Sequence, residues 1–250
     1  MRKLRVVKIF GNTNQSEHQI NLNPDDVNSL THSKMMQTLD WAYEKTMTGL
    51  PGQKSIDLLV KDYLTRYDPE TAINKLVSFQ KTKATTSGFL TGFGGILTLP
   101  VTIPANVASV ILVQMRMIAA IATIRGYDLN SDQVRTFVYA TLAGTSAIDI
   151  AKKTGITVGD KLLIGVVKRI PGKSLQKINQ AVGFRLVTKF GTKGVINIGK
   201  AIPLAGAVVG GSFDYATTST IAKMAKKTFA NDGIDLGNGI RIDKSELKKE

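Results

Sequence analysis

Apolar positions recur at three- and four-residue spacing along most of the chain, which predicts amphipathic helices. The first signal opens at Asn23, a cap residue followed by Pro24 and by Asp25-Asp26, and Gly49-Leu50-Pro51-Gly52 ends it. Ser55 is placed to cap a second helix running to about Arg66. Asp68-Pro69-Glu70 opens a third that ends near Lys81. In these two, Leu58, Leu59, Tyr63, Ile73, Leu76 and Val77 form stripes at helical spacing, the pattern of a core-facing side.

The pattern then changes. Between Lys83 and Arg116 lie 32 residues without a charge, with Gly88, Gly92, Gly94, Gly95, Pro100 and Pro104 among them. The two prolines predict two helical pieces with a bend near 99–103. Length alone would suit a membrane crossing. The prolines, threonines and Asn106 instead favour a helical pair buried in protein, with a re-entrant or conditionally inserting hairpin as the alternative. Gly88-xxx-Gly92 and Gly206-xxx-Gly210 have the small-residue spacing of close helix packing.

Asn130 and Ser131 introduce a further helix through Val134, Phe137, Val138 and Leu142. Lys173–Lys189 is amphipathic, with Leu175, Ile178, Val182 and Leu186 on one face. A second Gly-rich apolar piece, Ala201–Phe213, is too short to span a bilayer and leads into a last helix reaching about Ala230. Strand-type alternation is rare. The expected fold is all-α: a multi-helix bundle around a Gly/Pro-bent apolar pair, with loosely held termini. Residues 1–23 form a polar, basic arm, 24–230 one helical domain, and 231–250 a charged tail expected to hold little structure.

Composition narrows the chemistry. The sequence has no cysteine and two histidines, His18 and His32, so thiolate metal sites, disulfides and thiol nucleophiles are excluded. No metal or other cofactor is expected. Neither a P-loop nor a dinucleotide fingerprint accompanies the glycines. No carboxylate pair or nucleophile–base spacing stands out, so the chain is read as non-enzymatic, with no catalytic residue nominated. The basic N-terminus is too short and too charged for a signal peptide, which sets cytoplasmic residence as the expectation.

Charge adds the strongest functional hint. Lys and Arg number 33 against 19 acids, a net charge of +14, and Lys152–Lys200 carries eleven basic residues and one acid, Asp160. Such a field attracts anionic lipid, acidic protein or nucleic acid. Aromatics make up 6% of the chain, with one Trp, and no nucleic-acid motif is present, so nucleic acid ranks below lipid. The expected contacts with anionic lipid are Arg116, Lys168, Arg169, Lys173, Lys177, Arg185 and Lys189. Arg116, inside the most apolar helix, requires a partner, and Asp149 and Asp214 are the candidate buried carboxylates. Alternatively Arg116 anchors a headgroup at the mouth of an apolar cavity. Peripheral association with anionic membrane leads. A lipid- or fatty-acid-binding module, a pore-forming effector and a nonspecific nucleic-acid binder follow.

Gly92-Phe93-Gly94-Gly95, Leu99-Pro100, Pro104, the run Arg116–Ala122 and Arg125-Gly126-Tyr127-Asp128 together resemble the EcsC family of bacterial proteins. Ile202-Pro203, Gly206-Ala207 and Gly210-Gly211, with Tyr215 after them, resemble its second glycine-rich signature. The resemblance covers about residues 35–230. Thr102 departs from it, standing where an acidic residue is often found between the prolines. The resemblance implies an all-helical protein connected with membrane transport or secretion machinery, and no particular reaction.

Overall fold

The computed structural model describes residues 32–85, 105–146, 149, 172–190, 209–237 and 240–247. Seven helices and one two-stranded sheet lie among them. The helices pack against one another, and the fold is all-α.

Helix α1, His32–Thr48, buries Met35, Leu39, Ala42, Tyr43 and Thr46 along one face. It stops at Gly49, whose φ of 89° lies in the left-handed region; a Cβ there would sit 2.7 Å from the Gln53 carbonyl oxygen. Helix α2, Ile56–Leu64, starts as the sequence predicts, with Ser55 Oγ accepting from the Leu58 N–H. Helix α3, Pro69–Thr85, places Pro69 at its first position, and Asp68 accepts from the Thr71 N–H at 3.1 Å. Hydrogen bonding from the Thr71 side chain, and then from its backbone N–H, holds the Asp68 carboxyl below its ordinary range. The helix continues one turn past the expected end.

Helix α4, Ala105–Ile124, begins directly after Pro104, and from Ile111 to Ala122 every side chain is buried. It packs against α1, α2, α3, α5 and α7, so a helix apolar all round is covered all round. The expected bend at 99–103 lies outside the described residues. Helix α5, Asp132–Leu142, is locked to α1 by Arg135, which pairs with Asp40 at 2.6 Å and donates to Tyr139 Oη at 2.9 Å. Helix α6, Gly172–Phe190, lays Leu175, Ile178, Val182 and Leu186 inward as predicted and packs on α1 and α5. Helix α7, Val209–Thr228, closes the bundle against α3, α4 and α5. There Thr218 Oγ1 meets the buried Gln114 amide at 3.2 Å.

The segment after Asn231, expected to hold little structure, is a β-hairpin. Strands β1, Gly233–Gly237, and β2, Ile240–Asp243, pair antiparallel with Ile234 opposite Ile242. Ile234, Leu236 and Ile242 are buried against the bundle. Arg125 organises the junction by donating to the carbonyls of Lys226 and Phe229 and pairing with Glu70 at 2.7 Å. Lys244 donates to the Arg125 carbonyl, and Tyr127 Oη to that of Ala230. Gly/Asp punctuation hid three apolar residues whose alternation is too short to stand out.

Candidate functional site

Arg116 lies near the middle of α4 and is 4% exposed. Nη2 donates to the Lys54 carbonyl at 2.7 Å, while Nη1 is buried with no acceptor among the described residues. Burial pushes its pKa down, and the neighbouring cation Lys83 is likewise pushed down, by burial first and then by Arg116. Among the described residues no carboxylate pairs with Arg116. Asp149 is exposed and accepts from Ser146 Oγ at 2.7 Å, because the turn after α5 points it to solvent. Asp214 belongs to α7, with its side chain outside the described residues. Neither described groove is lined by Arg116.

The basic stretch divides. Lys168 and Arg169 lie outside the described residues, and Lys173 starts α6 with its side chain likewise undescribed. Lys177 is exposed. Arg185 and Lys189 serve a structural purpose that their sequence context did not reveal. Arg185 donates to the carbonyls of Ala143 and Gly144, at 3.0 and 3.3 Å, and Lys189 donates to that of Leu142 at 3.1 Å. Together they cap the carbonyl end of α5, where the helix dipole favours cations. Burial, and then Arg185, bring the Lys189 pKa down to about 8.

Of the packing glycines, Gly88, Gly92 and Gly206 lie outside the described residues, and Gly210 is in the first turn of α7. A glycine that sequence reading passed over matters more. At Gly183, a Cβ would lie 2.8 Å from both the His32 ring and the Met36 sulfur, so its absence lets α6 approach α1. Beside it, Phe184 stacks on His32 at 4.3 Å and remains 61% exposed.

Two surface features bring chemistry together. The first is a basic, aromatic face formed by α2, α3 and α7. Arg66 lies over the rings of Tyr63 and Tyr67 at 5.9 and 6.0 Å, and Lys75 lies over Tyr67 at 4.9 Å. Lys81 covers Tyr215 and Lys83 covers Phe79, each at 4.9 Å. Phe79 and Tyr215 are both 46% exposed. Arg66, Lys75 and Lys81 form no ion pair among the described residues; the nearby Asp62 is taken by Lys54. A cleft of about 320 Å³ between α2 and α3 runs through this face, with no carboxylate among its described lining residues.

The second feature is an open groove of about 730 Å³ between the end of α5, α6 and α7. Phe184, Ala216, Ile221 and Met224 supply its apolar wall, and Arg185 and Lys189 its charge. Among the described residues no three His, Asp or Glu side chains gather to hold a metal. Burial raises the phenol pKa values of Tyr43, Tyr127 and Tyr139, which leaves these hydroxyls protonated donors within the packing.

The model of the EcsC protein family matches residues 14–231. Comparison with curated proteins and with solved structures finds no match.

Proposed function

The chain belongs to the EcsC protein family, whose match covers most of its length, and from that premise we propose a non-enzymatic protein that associates peripherally with anionic membrane. The observation that carries this reading is the α2–α3–α7 face, where four cations rest on four aromatic rings and three of the cations have no ion pair among the described residues. Aromatic rings with polar or charged neighbours suit the headgroup layer, where one part of the side chain is apolar and another wet. Each Lys or Arg close to an anionic bilayer contributes about 1 kcal/mol. The net charge of +14 draws the protein in over roughly a Debye length, about 8 Å at physiological salt, and the rings act on contact. Lys177 and the exposed Phe184 on α6 extend the same chemistry to the basic stretch read from sequence.

Co-sedimentation with liposomes tests the proposal. Pelleting is expected with vesicles containing phosphatidylserine, not with phosphatidylcholine alone, and high salt should release the protein. The double substitution Lys75→Glu with Lys81→Glu should weaken binding at least about tenfold, because it reverses two charges worth about 1 kcal/mol apiece. No pelleting with anionic vesicles at low salt would overturn the reading.

A further inference from the structure

We propose that the groove between the end of α5, α6 and α7 binds a single-chain amphipathic anion, with its carboxylate or phosphate at Arg185 and Lys189 and its chain along α7. The groove's volume of about 730 Å³ is that of a small-molecule site, for which roughly 300–1,000 Å³ is usual. Its composition is asymmetric. Among the described residues Phe184, Ala216, Ile221 and Met224 offer apolar surface, both charges in the lining are positive, and no carboxylate faces it. An acyl chain fits such a wall, and a single anionic head fits the basic end.

The cations are only partly committed. Arg185 spends Nε and Nη2 on the carbonyls of Ala143 and Gly144, and Lys189 has one observed bond, to Leu142, out of the three an ammonium can donate. Both stay charge donors at the edge of an apolar site, where an arriving anion gains more than it would in open water. Among the described residues the groups facing Lys189 are Arg185 on its own helix and a backbone carbonyl from α5, while the lining of α7 contributes no titratable side chain. An anion beside Lys189 therefore favours its protonated form, and binding takes up a proton near the depressed pKa of about 8.

Titration calorimetry of the full chain with dodecanoate, dodecyl phosphate, dodecanol and acetate, below micelle formation, tests this. One or both long-chain anions should bind at one per chain, and dodecanol and acetate at least about tenfold more weakly. The stronger of the two anions identifies the headgroup. Affinity should fall as pH rises from about 7 to 9.5, with proton uptake visible in buffers of different ionisation enthalpy, and Lys189→Met should remove that uptake. Ala216→Phe and Thr220→Phe fill the groove while leaving the α5 caps untouched, and either should cost at least about tenfold in affinity. Dodecanol binding as tightly as the anions, undiminished binding in both filled-groove variants, or no binding of either anion would overturn the proposal. None of these outcomes depends on the α2–α3–α7 face, so failure here and failure of vesicle binding are separable.

Discussion

At Arg116 the bundle carries a cation that burial disfavours and that no carboxylate among the described residues offsets. A buried charge with one nitrogen unsatisfied costs several kcal/mol, and the single bond to the Lys54 carbonyl returns only part of it. Arg116→Met, close in volume and apolar, should therefore raise the unfolding free energy by about 1–4 kcal/mol, read as a higher urea midpoint with an unchanged slope. A clear loss of stability would mean that the guanidinium is compensated. Lys189 gives a second prediction through pH. Its folded pKa of about 8 lies below the ordinary 10.5, so between these values the unfolded chain binds more protons than the folded one. Stability contributed at this site is then lowest below pH 8 and rises as pH climbs to about 10.5. Measured against Lys189→Met at about pH 7, 8.5 and 10, the wild-type midpoint should gain on the variant with each step. A constant difference would refute the assignment.

At the scale of elements, helix starts were legible because they depend on neighbours in sequence. Ser55 and Asp68-Pro69 cap α2 and α3 within three residues of themselves. The α6 stripe follows from spacing alone, but its seating on α1 depends on Gly183, which sequence spacing does not mark. The hairpin is the element that sequence reading missed, and it is well anchored. Burying Ile234, Leu236 and Ile242 contributes at most about 1.5–3 kcal/mol each, and Lys244 ties the hairpin to the end of α4. A chain ending at Ala230 should consequently unfold at a markedly lower urea concentration than the full chain. Equal midpoints would show that the hairpin is an appendage.

Over the whole molecule, α4 decides what kind of membrane contact is physically reasonable. Val107–Ile124 is long and apolar enough to cross a bilayer, yet most of it is covered by α1, α2, α3, α5 and α7. Withdrawing it would uncover the inner faces of all five helices at once, which sets a high barrier to insertion. Surface association asks for no such rearrangement. The basic, aromatic face already lies outside, and its electrostatic part weakens with salt while a buried span would not. Vesicle binding that persists in high salt would thus point away from the surface mode and toward departure of α4 from the core.

The sequence by itself determined the all-α class, the caps of α2 and α3, the buried stripe of α6, the excess of positive charge and the family resemblance. All of these rest on residues a few positions apart or on composition. Tertiary structure alone decided where the charges went. Arg185 and Lys189, read as lipid contacts, cap a helix that ends more than 40 residues earlier in the chain. Asp149 turned outward, away from Arg116, while Lys81 and Tyr215 met from helices far apart in sequence. Periodicity reports which side of a helix is apolar and is silent on which helix it faces. Whether a cation caps a carbonyl, covers a ring or remains unpaired depends on that second choice, made when the bundle packs.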